Sequence, residues 1–302
     1  MGLPNFLVIG AGRSGTTSLH HYLSQHPDVF VTAEKSPNFF VSQDALPPWE
    51  GPAQRVMARH WVRTLDDYEA LFDRAGARAA VGEASPMYLQ SRRAPARIAA
   101  ACPEVRLVAI LREPVGRAYA HFMGRRRDGL DRRTDFSRVV ESELSQPLPE
   151  EVAFGHYLGC GRYHHFLQGY FDRFPADRIR IYLYDDLLAD PSALVADLFA
   201  FLEVDPRFSP DTSRRYGQTG VPVNPVARFL WTRSVTARTL VRPWLPRRVR
   251  DLAAPVFLGA LARPPLDPSL HARVIDVFRD DIARLERLLR RDLSRWLTVP
   301  AA

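Results

Sequence analysis

The sequence predicts an α/β protein built on a central parallel sheet, and three observations predict it. The first is the stretch Phe6 to Leu19, FLVIGAGRSGTTSL, where an apolar run enters a glycine-rich turn and leaves as a helix. The second is Val105 to Phe122, whose near-continuous apolar run Leu107 to Leu111 suits the middle of a parallel sheet, with Pro114 at the first turn of a following helix. The third is the alternation of further short apolar runs, Val29 to Val31, Ala79 to Val81 and Ile179 to Leu183, with helical stripes such as Leu194, Leu198, Phe201 and Leu202. At 302 residues the chain has room for one large α/β domain or two smaller ones. It carries no repeats and no low-complexity linker, which favours a single domain over residues 1–302 with a helical C-terminal part from about 225.

Composition narrows the function classes. Hydrophobic residues at 46% and charged residues at 25% are those of a soluble globular protein, and no apolar run is long enough to span a bilayer. The first residues lack the layout of a secretory signal, and Phe6 stands where a myristoylation signal needs Ser or Thr, so a cytoplasmic protein is expected. Cys102 and Cys160, the two cysteines, offer neither a disulfide framework nor metal-ligand spacing; reduced thiols and no metal are expected. The net charge of +7 suits an anionic ligand. No helix-turn-helix pattern and no interleaving of aromatic with basic residues accompanies it, so no nucleic-acid partner is expected. Nearly all the positive charge is arginine, and Lys35 is the only lysine.

The turn after the first strand is the centre of the chemistry. The first N–H groups of a helix have no partner within it, and the helix dipole adds partial positive charge there, so this turn is an anion site, to which Thr16, Thr17 and Ser18 add hydroxyl donors. Gly10 and Gly15 have the spacing of a GxxxxGK[ST] loop, but Thr16 replaces the lysine that reaches the β- and γ-phosphates. That replacement argues against ordinary ATP or GTP hydrolysis and for a ligand with a shorter anionic tail. Arg13 supplies positive charge instead. A dinucleotide GxGxxG fit fails beyond Gly10 and Gly12, because threonines follow Gly15 and no acidic ribose ligand stands at the right distance.

Gly10-Ala11-Gly12-Arg13-Ser14-Gly15-Thr16-Thr17 resembles the 5'-phosphosulfate loop of sulfotransferases that use 3'-phosphoadenosine 5'-phosphosulfate (PAPS). Later stretches fit the same family. Arg112, Pro114, Arg117 and Ala118 match its 3'-phosphate motif, Arg-x-Pro-x-x-Arg-Ala-x-Ser, with Ala120 in place of the serine. Ala79 to Tyr88 resembles Gly-Glu-x-[Ser/Thr]-Pro-x-Tyr, and Ala84 stands where several glycan-modifying members carry a lysine, leaving Glu83 and Ser85 as polar candidates. Thr32 to Phe40 resembles Lys-Glu-Pro-x-Phe-Phe, in which the glutamate before the proline is the base; Ser36 occupies that place, and the nearest acid is Glu34.

The remaining segments are read as architecture or cover. Residues 41–60 read as loop with a short helix, and Val62 to Phe72 as a helix whose apolar stripe is core. Arg125 to Arg133 is a solvated basic face that also offers charge to an acidic acceptor. Tyr216 to Gly220 corresponds in the family to a loop closing over the adenine side. Arg228 to Arg250, basic and amphipathic, reads as a cover over the acceptor cleft, with peripheral membrane contact as the alternative. The last helix is expected from about Ser269 to Leu297.

The resemblance covers Phe6 to Trp296 and implies a P-loop-like three-layer fold, with helices flanking the parallel sheet. It implies a PAPS-dependent sulfotransferase, moving a sulfonate to a hydroxyl or amine of a glycan or small-molecule acceptor by in-line displacement and without a metal. Cofactor binding falls to Arg13, Ser14, Gly15, Thr16, Thr17, Ser18 and Arg112, and catalysis to Glu34, Lys35, Arg13 and Glu83, with Glu34 preferred to Glu83 as base. The alternatives are a P-loop nucleotide kinase or other phosphotransferase, and a catalytically degenerate nucleotide-binding relative.

Overall fold

Five apolar runs form one parallel sheet with the glycine turn at its centre. The computed structural model describes residues 2–43, 61–128, 130–146, 155–214, 216–217, 220–222, 261–262 and 266–299. In chain order, β1 (Phe6–Gly10) feeds α1 (Thr16–Leu23), then come β2 (Val29–Val31), α2 (Phe39–Ser42), α3 (Leu65–Ala70), β3 (Ala80–Ala84), α4 (Ala94–Ala101) and β4 (Arg106–Leu111). The chain continues through α5 (Pro114–Arg127), α6 (Phe136–Leu144), α7 (Tyr163–Phe171), β5 (Ile179–Leu183), α8 (Tyr184–Ala189) and α9 (Pro191–Phe201). A short antiparallel pair, β6 (Val221–Pro222) with β7 (Leu261–Ala262), precedes α10 (Pro268–Leu289).

The strand order is β2-β3-β1-β4-β5, so the chain leaves β1 toward one edge and returns on its other side with β4. Ligands of open α/β sheets collect at such a switch point, outside the carboxyl ends of the strands. Period-two alternation then divides the core. Leu7, Ile9, Leu107, Ala109 and Leu111 pack on one face with residues of α4, α5, α7 and α10, while Phe6, Val8, Val108 and Ile110 pack on the other with α1 and α9. Apolar runs of this kind are needed because both faces are covered: all five residues of β1 are buried. The expected P-loop-like three-layer arrangement is what forms.

Local chemistry sets the helix ends. Asp190 both closes α8 and opens α9, where its side chain accepts from Ala193 N–H at 2.9 Å and Pro191 takes the first turn. Asp267-Pro268 opens α10 in the same way, through Ser269 N–H at 3.1 Å. The last helix is shorter than the expected Ser269 to Leu297: Arg290 adopts the left-handed conformation (φ 50°) and ends it at Leu289. Leu293 and Trp296 still reach the core through a single 3₁₀ turn, Ser294–Leu297. The stripe at Val62 to Phe72 yields only α3, capped by Thr64 accepting from Asp67 N–H. The expectations for residues 44–60, and for the basic segment at 228–250, lie outside the described residues.

Candidate functional site

The turn between β1 and α1 is shaped by two positive backbone angles, Arg13 at φ 70° and Gly15 at φ 103°. Gly15 is required there twice over: its φ is costly for a side chain, and an added Cβ would come within 2.8 Å of Leu187 on α8. The turn lies at the mouth of a cavity of about 320 Å³ whose wall includes Arg13, Gly15, Thr16, Thr17 and Ser18 together with Arg112. Ser14, predicted with them, is fully buried and is not part of the cavity wall.

Arg112 leaves the carboxyl end of β4, as the sequence expects. Its guanidinium lies over the Tyr184 ring, 4.8 Å from the centroid, and its carbonyl accepts from Tyr163 OH at 2.8 Å. The next residue, Glu113, caps α5 by accepting from Val115 and Gly116 N–H. Ala120, in the family serine position, is fully buried and no part of the cavity wall, so no hydroxyl reaches the cavity from there. Arg117, from the same motif, is buried as well and donates to the Tyr157 carbonyl, which makes it a brace for the chain around Tyr157.

The opposite wall is a strap, residues 211–214 with 216–217, laid along α1. Gln25 exchanges hydrogen bonds with the Asp211 backbone, Tyr22 OH donates to the Arg214 carbonyl at 2.9 Å, and Tyr216 N–H donates to Ser18 Oγ at 3.1 Å. The Tyr216 ring stacks on His21 with centroids 3.9 Å apart. Tyr22 and Tyr184 were not singled out in the sequence. The position of Tyr184, directly after β5 at a carboxyl strand end, was the signal that points to it.

Beside the turn stands a second group. Lys35 is half-buried after β2, and Glu83 is fully buried at the end of β3, the neighbouring strand. Burial is the main influence on both: it pushes Lys35 down to about 8, against the pull of Glu83 and with a push from Arg13. It pushes Glu83 up to about 7, against the hydroxyls of Tyr88, Ser85 and Tyr68 and the charge of Lys35. Arg13 is lowered by burial and by Arg127, Arg117 and Arg125, with Asp128 at 3.8 Å opposing. Thus Lys35 feels the charges of both Glu83 and Arg13. Glu34 is exposed. His121 is buried among Arg117, Arg13 and Arg125, and burial with those charges holds it neutral, well below the usual histidine range.

A P-loop-like sheet thus carries a cationic, hydroxyl-rich cavity over its central turn, an arrangement suited to an anionic ligand. The sequence model of the sulfotransferase family matches residues 4–210, well over half of the chain, and the chain belongs to that family. It is 26% identical over 229 residues to the bifunctional heparan sulfate N-deacetylase/N-sulfotransferase of Drosophila melanogaster, covering 71% of this chain and 21% of that protein. It is 26% identical over 209 residues to human heparan sulfate glucosamine 3-O-sulfotransferase 6, covering 66% of this chain and 52% of that one. The chain therefore spans about a fifth of the length of the bifunctional relatives and about half of the other. A crystal structure of a sulfotransferase from Alicyclobacillus acidocaldarius superposes with a TM-score of 0.76 at 28% identity, covering 99% of this chain and 100% of that one.

Proposed function

We propose that this sulfotransferase takes its sulfonate from PAPS and delivers it to a hydroxyl or amine of a glycan or small-molecule acceptor. One observation carries the reading: the glycine turn, Arg112 and the strap wall a single cavity, and none of the described residues lining it is acidic. That donor set fits a ligand with anionic groups at both ends. Arg13 and the first-turn amides of α1 would hold the 5' end, Arg112 the 3'-phosphate, and the Tyr216 side the base. Gly12 leaves open space where a Cβ would stand, so the backbone can be approached closely. Thr16 in place of the Walker lysine speaks against the kinase alternative. When bound, the donor supplies the sulfonate and leaves as 3'-phosphoadenosine 5'-phosphate.

The protein's part is positioning and charge. Arg13, in the cavity wall, would hold the negative charge as it is released, a role that needs no nucleophile on the protein. For the acceptor proton two acids compete. Glu34, the choice on sequence grounds, is exposed to solvent. Glu83 is shut from solvent and acts on Lys35, so we assign the proton to the Lys35–Glu83 couple, in which the free-amine form of Lys35, lowered to about 8, takes it from the acceptor and Glu83 supports the ammonium that results. The whole chain is read as one sulfotransferase domain. The two free, buried cysteines support a cytoplasmic setting.

Calorimetry with 3'-phosphoadenosine 5'-phosphate tests the donor site directly: binding is expected, and Arg13→Ala is expected to abolish it while the fold survives. Absence of binding to the wild-type chain would sink the reading. Magnesium-dependent ATP turnover would instead establish the kinase. An acceptor screen with PAPS, followed by product mass, then names the substrate.

A further inference from the structure

Tyr68 belongs to none of the family motifs, and its stripe on the sequence reads as core. In the fold it is fully buried, and its hydroxyl donates to Glu83 Oε1 at 3.3 Å. Its ring is stacked on Phe39, with centroids 4.4 Å apart and planes 15° from parallel, and is met edge-on by Phe40 and Phe72. A phenylalanine would fill this aromatic box equally well without burying a hydroxyl, so the polar end of Tyr68 has a task that packing does not explain. That task lies at the junction of the two segments carrying the proposed proton couple. Ser36 N–H donates to the Ala84 carbonyl at 3.0 Å and Asn38 N–H to Ser85 Oγ at 3.0 Å, which locks the Lys35 turn to the strand end of Glu83.

We propose that Tyr68 is a positioning residue of the sulfonate-transfer step, its hydroxyl fixing the Glu83 carboxylate relative to Lys35. This deepens the functional reading above and rests on it. The groups facing Glu83 are Tyr68 from α3, Tyr88 and Ser85 from the turn after β3, and Lys35 from the turn after β2. Arg13 acts on Lys35 from the glycine turn, and Lys35 in turn acts on His20 of α1. Burial and the nearby Glu83 raise Tyr68 well above the usual tyrosine range, so it remains a donor at every pH at which Glu83 titrates. A donor to the charged form of a carboxylate favours that form, and the carboxylate keeps its place only while the donor is there.

The test is a carbon-13 NMR titration of glutamate side chains in the full-length protein, with the Glu83 resonance assigned by its loss in Glu83→Gln. In Tyr68→Phe, which keeps the ring, the Glu83 midpoint should move upward by about one pH unit, as expected for the loss of one charge-assisted hydrogen bond. Phe72→Leu disturbs the same aromatic box without touching the hydroxyl; it should lower stability and leave the midpoint where it was. If Tyr68→Phe leaves the midpoint unmoved, or Phe72→Leu shifts it equally, Tyr68 is only a packing residue. Calorimetry with 3'-phosphoadenosine 5'-phosphate runs beside the titration and should show unchanged affinity in Tyr68→Phe. Failure of the wild-type chain to bind that nucleotide overturns the functional reading and the catalytic role with it, whereas an unmoved Glu83 midpoint overturns the role of Tyr68 alone.

Discussion

Arg13 depends on a residue with no side chain. Its guanidinium lies against α5 at Gly124, where an added Cβ would come 2.5 Å from Nη2. Gly124→Ala therefore has to push the guanidinium aside, while alanine is the better helix former, so the fold itself is not weakened by the backbone change. The expected outcome is a chain of unchanged or slightly higher thermal midpoint whose affinity for 3'-phosphoadenosine 5'-phosphate falls by roughly tenfold or more, the worth of a charge-assisted contact. Asp128→Asn should cost less, because that pair is 3.8 Å apart and partly exposed. Arg112 makes a sharper discrimination. Arg112→Ala should weaken 3'-phosphoadenosine 5'-phosphate far more than adenosine 5'-phosphosulfate, since only the former carries the group it reads; equal losses would make the arginine structural. Tyr184→Leu should repeat the effect in smaller measure, by a few-fold, because it removes the face on which the guanidinium rests.

Between elements, one carboxylate joins the C-terminal helix to the rest. Asp281 of α10 accepts from His164 and His165 N–H at 3.0 and 3.2 Å, so it occupies the N-terminus of α7 as an anion would. Asp281→Ala leaves two part-buried amides without this partner and should destabilise the fold by about 1–2 kcal/mol, read by urea denaturation, with nucleotide affinity unchanged. This contact also marks where sequence reading ends. The strands and the glycine turn were legible, because a buried parallel strand must be apolar throughout and an anion loop must carry glycine and hydroxyls. Arg112 was legible as a cation at a strand end. Tyr184 and Tyr68 were not, since each depends on which segments the fold sets side by side. Tyr68 meets Glu83 across a strand and a turn, and Ser18 meets Tyr216 across most of the chain. The end of α10 at Arg290 was hidden for a different reason: the apolar stripe runs on through Leu293 and Trp296 after the helix has ended.

For the whole molecule, the Lys35–Glu83 couple makes stability depend on pH, and through Glu83 in a direction opposite to the usual carboxylate. Glu83 titrates at about 7 in the fold against an ordinary 4.5. Below 4.5 it is protonated in both folded and unfolded chains; between 4.5 and 7 only the folded chain keeps the proton, so stability falls as pH rises and stays reduced above 7. Lys35 titrates at about 8 against 10.5, so its cost is complete below 8 and is relieved as pH climbs from 8 to 10.5. The contribution of the two together is least favourable between pH 7 and 8, where both are charged. Glu83→Gln removes the first limb. Its stability should match wild type near pH 4.5 and exceed it above pH 7, by at most on the order of 3 kcal/mol, the full span of the Glu83 shift. Urea denaturation at steps from pH 4.5 to 8 checks this: the gap between mutant and wild type should open across that interval and then level off. A gap that is constant with pH would mean that Glu83 carries no charge cost in the fold, and the Lys35–Glu83 couple would lose its electrostatic basis. A gap that opens as described, together with loss of sulfonate transfer, would identify Glu83 as a destabilising group kept for its chemistry, the trade expected of a buried acid in an active site.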